Sequence, residues 1–457
     1  MINGLSIGDT RMKLLAGALL FGFASLASAQ SSILVGGGAT LPAAGYAGDT
    51  TTRLQGPLRA DTTGDGTLLG EYAKTQTSPF SVSYCQTGSG GGKNVLAGNS
   101  PSTFTVNAAC DGTSPIGFGA TSLGETLAQP HFVGSDSPIA ASDLTNYSAG
   151  HASGQPVQIP AVSGAIAIVF NKTDTLGNPL PSLNLTEQQV CRVFSGNIKT
   201  WNDANLASAI PSGVTVSGPI KIVYRSDGSG TSFAFSNHLS KICGATAAPP
   251  VGTGGNGLAT LFKTDQAFAT AASSYFASYS SSLGASGNPG VIAAIQDPTN
   301  DGAIGYAETA NALNGFVSFA SVSNKAAPST FIDPSTYGGT TLPVSVTYDQ
   351  VISGVNSLGR PTLAASGLST QCIGIVNPED YASPASGYPI VAVSYLLANS
   401  AANGLDVAHV RGVLFAPYNS TVKAQVNTIG ASTGLSFLSI NGATSAQIQT
   451  KINGCVN

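Results

Sequence analysis

"IKIVYRSDGSGTSF", Ile220 to Phe233, is the stretch whose reading decides the fold. Ile220 to Tyr224 form a short apolar run of the kind buried in a sheet. The run passes straight into "RSDGSGT", and a helical segment follows, ending near Cys243. A strand, a Gly-rich turn and a helix in that order make one unit of a mostly parallel sheet. In such sheets, ligands sit where loops leave the carboxyl ends of strands. The turn also carries a charged pair, Arg225 and Asp227, in a chain of which only 9% is charged. Taken alone, these letters suit a surface turn and an anion cradle equally, because Gly-rich turns are weakly specific.

Outward from that stretch the same alternation recurs. "VQIPAVSGAIAIVFN" (157–171) is continuously apolar, as a strand buried on both faces requires. "LTEQQVCRVFSGNIKTWND" (185–203) reads as a helix, with Thr186 and Gln189 spaced as a capping box. Trp201 follows it and is expected to be packing. "ILVGGGATLPAAGYAG" (33–48) reads as a strand, a tight turn at Gly36–Gly38 and a helix start capped by Thr40. "FSVSYCQTGSGGGKNVLAG" (80–98) repeats the scheme, with its turn at 88–92. "GAIGYAE" (302–308) and "GYPIVAVSYLL" (387–397) are later strand-to-helix pieces. The Ser/Gly/Ala-rich stretches 244–258 and 271–289 read as loops or insertions.

With 457 residues, 42% of them hydrophobic, the chain can build two ordinary domains or a pair of lobes, with a sizeable core. A net charge of −4 argues against nucleic acid as a partner and against a polybasic membrane patch. Arg11 and Lys13, the apolar Leu14–Phe23 and the small residues Ala27-Ser28-Ala29 have the form of a secretory signal, with Gln30 as the first mature residue. Its removal takes away two positive charges and one negative, turning −4 into −5. An exported chain with six cysteines is expected to form disulfides. Fifteen connectivities are open, and the sequential one is expected: Cys85 with Cys110, Cys191 with Cys243, Cys372 with Cys455. With no C-x-x-C and four scattered histidines, neither a metal site nor a cofactor is expected.

Three turns follow predicted strands, at 36–41, 88–92 and 228–231. Where such turns open helices, unpaired backbone N–H groups and the positive end of the helix dipole face a common space. Arg225 adds a fork matched to two oxyanion oxygens, and Asp227 is placed to hold it. Other motifs fail on their context. "TGSGGGKN" lacks the first Gly and the Ser/Thr of a nucleotide loop. "GASTG" (430–434) and "GLSIG" (4–8) have the letters of a nucleophile elbow, but no clear strand precedes Gly430. "DPTNDGAIGYAE" (297–308) approaches a calcium loop, but Pro298 and Thr299 break it, and turn plus strand is the better reading.

In sum these motifs resemble the phosphate-binding proteins of phosphate ABC importers, most closely the DING-type branch. "GGGATLP", "YCQTGSGGGK", "VGSDSP" and "VYRSDGSGT" resemble the four ligand turns of that family, in family order. "QIPAVSGAIAIVFN", "VCRVFSGNIKTW", "GAIGY" and "SGYPI" resemble it outside the pocket. The similarity covers most of residues 33–395 and is poor over 320–385 and the last sixty residues. The start "SSILVGGG" departs from the Asp-Ile-Asn-Gly that names the branch. Cys372 lies before "GYPI" where the family cysteine lies after it, and Cys85–Cys110 is not a family pairing.

The resemblance implies an α/β, two-lobed periplasmic-binding-protein fold of type II, with the ligand in the inter-lobe cleft. Residues 30–165 would start lobe 1, 166–387 would form lobe 2 and 388–457 would return to lobe 1, with crossings near Gly164 and Pro389. It implies high-affinity binding of inorganic phosphate for uptake or scavenging, by a periplasmic or secreted monomer that can serve an ABC importer. Thr40 would donate its hydroxyl and amide, Leu41 its N–H, and Ser89 its hydroxyl. Arg225, Ser229, Gly230 and Thr231 would hold the remaining oxygens, and Asp227 would orient Arg225. Asp136 would accept a hydrogen bond from a protonated oxygen of the ligand. A carboxylate against an anion is costly unless a proton lies between them; phosphate near neutral pH keeps one, and sulfate does not. No catalytic residue is assigned. The alternative activity is that of a secreted alkaline phosphatase-like phosphomonoesterase.

Overall fold

A computed structural model of the chain describes residues 32–48, 58–61, 63–98, 110, 118–120, 123–243, 262–339 and 341–457. The expected signal segment and the stretch 244–258 lie outside them. Along the chain run β1 (Ile33–Gly38), α1 (Ala43–Ala47), β2 (Leu58–Asp61), α2 (Leu68–Ala73), β3 (Ser81–Gln86), α3 (Gly88–Leu96), β4 (Phe132–Ser135), α4 (Ala141–Gly150) and β5 (Pro156–Asn171). Then come β6 (Asn184–Thr186), α5 (Glu187–Phe194), β7 (Lys221–Arg225), α6 (Gly230–Ile242), α7 (Phe268–Ala271), β8 (Ser281–Ala285), α8 (Gly287–Gln296), β9 (Ala303–Glu308) and α9 (Thr309–Asn314).

The main sheet has the order β2-β3-β1-β4, then strand Val391–Asn399, then β5-β9-β7-β8. β1 is parallel to β3 and β4, and β7 is parallel to β8 and β9. Two parallel clusters are thus joined through β5. All but the last of its sixteen residues are buried, as its unbroken apolar run requires. It pairs with Val391–Asn399 over 156–165 and with β9 from Ile166 onward. One strand therefore changes partners at Ala165/Ile166 and belongs to both halves. The return path approaches the same point, where Ile166 N–H donates to Ile390 O at 2.9 Å and the Tyr388 hydroxyl to Ile166 O at 2.8 Å.

Residues 342–376 pair with strands of the first half, while Gly359 and Arg360 at their hairpin tip reach Thr264 and α6 of the second. Strand Leu342–Val344 pairs with Leu435–Ile440, which pairs with β5 at 162–164, and Ile373 bridges Gln158. The three disulfides are Cys85–Cys110, Cys191–Cys243 and Cys372–Cys455, the sequential set.

Local rules explain most elements. Thr186 caps α5 by accepting from Gln189 N–H at 3.1 Å, and Gln189 Oε1 accepts from Thr186 N–H at 3.0 Å. Trp201 is buried and its Nε1–H donates to Gly302 O at 3.0 Å, which fits packing. Asp297 caps a short helical turn and β9 follows, so the calcium-like stretch is turn plus strand. The "GASTG" stretch is a turn leading into strand Leu435–Ile440, with Ser432 exposed and no helix after it.

Three expectations are corrected. Gly36–Gly38 do not turn the chain; they finish β1, because a Cβ at Gly36 would overlap the Phe132 ring on the neighbouring strand. The glycines of 88–92 form the first turns of α3 itself rather than a preceding turn. Each costs about 1 kcal/mol relative to Ala in a helix. What they permit is close approach: Gly90 N–H donates to Gly228 O at 2.8 Å, across to the other half. The stretch 271–289 is not an insertion, for it contains β8, an edge strand of the sheet, and the start of α8.

Candidate functional site

The carboxyl ends of the parallel strands in the two halves face each other across the β5 crossing. Thr40 follows β1, Ser89 lies in the first turn of α3 after β3, and Asp136 follows β4. From the other half come Arg225 at the end of β7, Ser229 to Thr231 at the start of α6, and Asn288 in the first turn of α8 after β8. All of these side chains are buried, none more than 1 % exposed. Arg225 Nη1 donates across the halves to Thr40 Oγ1 at 3.1 Å. Gly230 shows how tightly the walls meet, since a Cβ there would overlap Ser89 and Asp136.

Arg225 is the organising charge. Its Nε and Nη2 form a two-pronged bond to Asp227, at 2.7 and 2.5 Å. Burial opposes the charge on each partner. The contact overrides it, raising the guanidinium's pKa and lowering that of the Asp227 carboxyl. Gly287 N–H also donates to Asp227 Oδ1, at 3.0 Å. Asp227 therefore holds Arg225, and Nη1 is turned to Thr40, Thr231 and Asn288.

Asp136 stands in a different environment. Its N–H donates to Ser89 Oγ at 2.9 Å, and the Ser89 hydroxyl reaches Oδ2 only at 3.5 Å. Oδ1 is buried with no hydrogen-bond partner among the described residues. Burial pushes the carboxyl up to about 7, against the pull of the Ser394 hydroxyl, the Arg225 charge and Ser89. Its loop is braced by Lys93, the last letter of "GGGK". Lys93 Nζ donates to Asp143 Oδ2 at 2.6 Å and to Pro138 O at 3.3 Å.

Ser229 and Leu41 are also expected at the site. Ser229 caps α6, its Oγ accepting from Ser232 N–H at 3.0 Å, while its own N–H donates to Gln266 O. Leu41 is fully buried, beside Gly164 of β5. Two groups escaped the sequence reading. Asn288 accepts from Arg225 Nη1 at 3.1 Å and donates through Nδ2 to Thr231 Oγ1 at 3.3 Å. Glu308, at the end of β9, caps α9 by accepting from Ala310 and Asn311 N–H, and burial pushes it up to about 8. Asn311 Nδ2 in turn donates to Thr40 O at 3.2 Å. The available signal for Asn288 was "GNPGV", in which Pro289 suits a helix's first turn.

Chemically, the cluster brings together several hydroxyls, one guanidinium and, in Asp136, a carboxylate with an unpartnered oxygen. Among the described residues there is no group of three or more His, Cys, Asp or Glu that could hold a metal ion, and no helix is long and apolar enough to cross a membrane.

Known proteins agree with this architecture. Residues 50–404 match the model of the PBP superfamily domain. The chain is 33% identical over 222 residues to "Alkaline phosphatase L" of Pseudomonas aeruginosa PAO1, covering 48% of this chain and 45% of that protein. It is 34% identical over 196 residues to "Phosphate-binding protein PstS" of Xylella fastidiosa Temecula1, covering 43% and 44%. These alignments thus span less than half the length of the curated relatives. The structure of a high-affinity periplasmic phosphate-binding protein, PfluDING, solved with phosphate bound, superposes with a TM-score of 0.57 at 24% identity, over 91% of this chain and 92% of that one. The chain belongs to the PBP superfamily and has the two-lobed fold of its periplasmic phosphate-binding members.

Proposed function

We propose that this protein binds one inorganic phosphate between its two lobes. The lobes divide at Ala165/Ile166 and near Gly387/Tyr388, with residues 342–376 rejoining the first lobe. Thr40, Leu41 and Ser89 hold the ligand from one side; Arg225, Ser229, Gly230 and Thr231 hold it from the other. Asp136 accepts a hydrogen bond from the ligand's protonated oxygen, and Asp227 keeps Arg225 in place. The protein works as a periplasmic or secreted monomer, for uptake through an ABC importer or for scavenging.

One observation carries the reading. Among convergent donors stands one buried carboxylate, Asp136, with an unpartnered oxygen. A donor cage with one acceptor fits a tetrahedral oxyanion that still carries a proton. Sulfate brings no proton and would meet Asp136 as a bare, repelled charge. Calorimetry on the purified protein, with phosphate and sulfate compared, tests it. Heat of binding is expected with phosphate alone, and no binding of phosphate sinks the proposal.

The name of the Pseudomonas relative supports phosphomonoesterase activity as a second reading. Hydrolysis requires an activated nucleophile. Ser229 Oγ serves as a helix cap, and among the described residues no side-chain base bonds to it. Turnover of a chromogenic phosphate ester that is lost in Arg225→Ala and Thr231→Val would favour this reading over simple binding.

A further inference from the structure

Asn288 lies at the meeting point of the two lobes, fully buried, and makes three hydrogen bonds there. Its Oδ1 accepts from Arg225 Nη1 at 3.1 Å. Its Nδ2 donates to Thr231 Oγ1 at 3.3 Å, and its backbone N–H donates to Thr40 Oγ1 at 3.2 Å. The amide's orientation is forced: a guanidinium only donates, so the oxygen must face it and the NH2 must face Thr231.

The consequence concerns hydroxyl protons. A threonine hydroxyl has two acceptor lone pairs and one proton. Thr40 Oγ1 accepts from Arg225 Nη1 and from Asn288 N–H. Thr231 Oγ1 accepts from Arg225 Nη1, at 3.4 Å, and from Asn288 Nδ2. Nη1 has two protons for three acceptors, so its longer contact to Thr231 shares one of them, and each hydroxyl faces two donors on its acceptor side. No acceptor for either proton stands among the recorded bonds of these two hydroxyls, so both are turned away from Arg225 and Asn288.

We infer that Asn288 is a positioning residue that fixes the polarity of the cage: with Arg225 it turns donors toward the acceptor sides of the Thr40 and Thr231 hydroxyls and so commits their protons to the bound anion. This rests on the phosphate reading above. It gives the cage its division of labour, in which every hydroxyl donates and Asp136 alone accepts. Without the Asn288 side chain, the Thr231 hydroxyl is free to rotate and accept, and so to present a lone pair to a negative ligand.

Alanine at 288 keeps the backbone N–H to Thr40 and removes only the side chain, so the effect must run through Thr231 and Arg225. Phosphate affinity is measured by calorimetry for the full chain, for Asn288→Ala, for Thr231→Val and for the double variant. Asn288→Ala is expected to weaken binding by about tenfold to a hundredfold. In the Thr231→Val background the same change is expected to cost no more than about threefold, because the hydroxyl it orients is gone. Asn288→Asp, nearly isosteric, is expected to bind worse than Asn288→Ala, since a carboxylate draws the Thr231 proton to itself. Ligand-free melting curves check that each variant is folded; if the alanine variant is not, Asn288→Asp is compared with the wild type, and a loss of less than about tenfold overturns the inference. Equal losses from Asn288→Ala in both backgrounds, or aspartate no worse than alanine, overturn the inference and leave phosphate binding standing. A wild-type chain that fails to bind phosphate removes the phosphate reading itself, and the inference with it.

Discussion

Two carboxylates face the same cleft from opposite lobes, both almost wholly buried, and their fates diverge. Asp227 is locked to Arg225 by two short bonds and takes a third from Gly287, so it stays ionised. Asp136 has one weak hydroxyl contact, one unpartnered oxygen and a pKa near 7. Burial alone does not separate them; the distribution of donors does. A carboxylate whose needs are met inside the protein is scaffold. One whose needs are half met can still accept a hydrogen bond from another group, and its burial costs the fold.

The contrast breaks most violently at Asp227. Replacing it with alanine leaves Arg225 as an uncompensated buried charge, which typically costs about 3–5 kcal/mol. Urea denaturation is expected to register that loss, and calorimetry a drop in phosphate affinity of at least about a hundredfold. An Asp227→Ala variant of wild-type stability would show that Arg225 has other support.

Asp136→Asn is the next largest change. It keeps the shape but supplies donors where the carboxylate only accepts. The phosphate-over-sulfate preference is expected to fall by at least about tenfold, mainly through improved sulfate binding. Unchanged selectivity would make Asp136 purely structural.

The third expectation concerns pH in the ligand-free protein. Asp136 and Glu308 have folded-state pKa values near 7 and 8, above their unfolded values. The folded state therefore keeps protons that the unfolded state has released. Their stabilisation is fully present below about pH 4, is lost progressively as pH rises, and is gone above about pH 8. Glu187, pushed up to about 7 by burial, adds to this trend. His238, driven down to about 4, opposes it below about pH 6.5. Between pH 4 and 7, denaturation curves of Asp136→Asn are expected to show a pH slope shallower by about 1.4 kcal/mol per unit, one proton's worth. Parallel slopes would mean that Asp136 does not titrate there.

Ser394→Ala sharpens the comparison most gently. The Ser394 hydroxyl, buried without a hydrogen-bond partner of its own among the described residues, favours the Asp136 carboxylate as a nearby donor. Its removal is expected to raise the Asp136 midpoint further, as followed by the same curves, and to weaken phosphate binding by only about twofold to fivefold. A fall in the midpoint would contradict this account of the site.

How much of this was legible beforehand depends on the range of the interaction. The strand-turn-helix of 220–233 and the long β5 declare themselves through local apolar runs, and Thr186 caps α5 through a neighbour three residues away. Asp227 could be paired with Arg225 because it lies two residues on. The glycines misled, because glycine marks a turn and a close approach with the same letter. Only the fold reveals that Phe132 presses on Gly36, or that Gly90 must reach Gly228. Asn288 was hidden for a related reason. It lies in a stretch whose composition resembles a loop, and its partner Thr40 is 248 residues away. The unpartnered oxygen of Asp136 was beyond reach for any reading of letters, since it is a statement about what three-dimensional packing fails to supply.

The three disulfides, finally, have a mechanical consequence. Cys85–Cys110 starts from β3 in the first half, and Cys372–Cys455 ties the segment whose Cys372 O accepts from Gln158 N–H to the final helix, also in the first half. Cys191–Cys243 joins α5 to the end of α6 in the second. Each cross-link stiffens one jaw, and none bolts jaw to jaw. Apart from the chain's own crossings, what holds the two together is hydrogen bonds and packing, which part and re-form without chemistry. An oxidising environment can thus harden such a protein against unfolding and proteolysis while leaving its bite reversible.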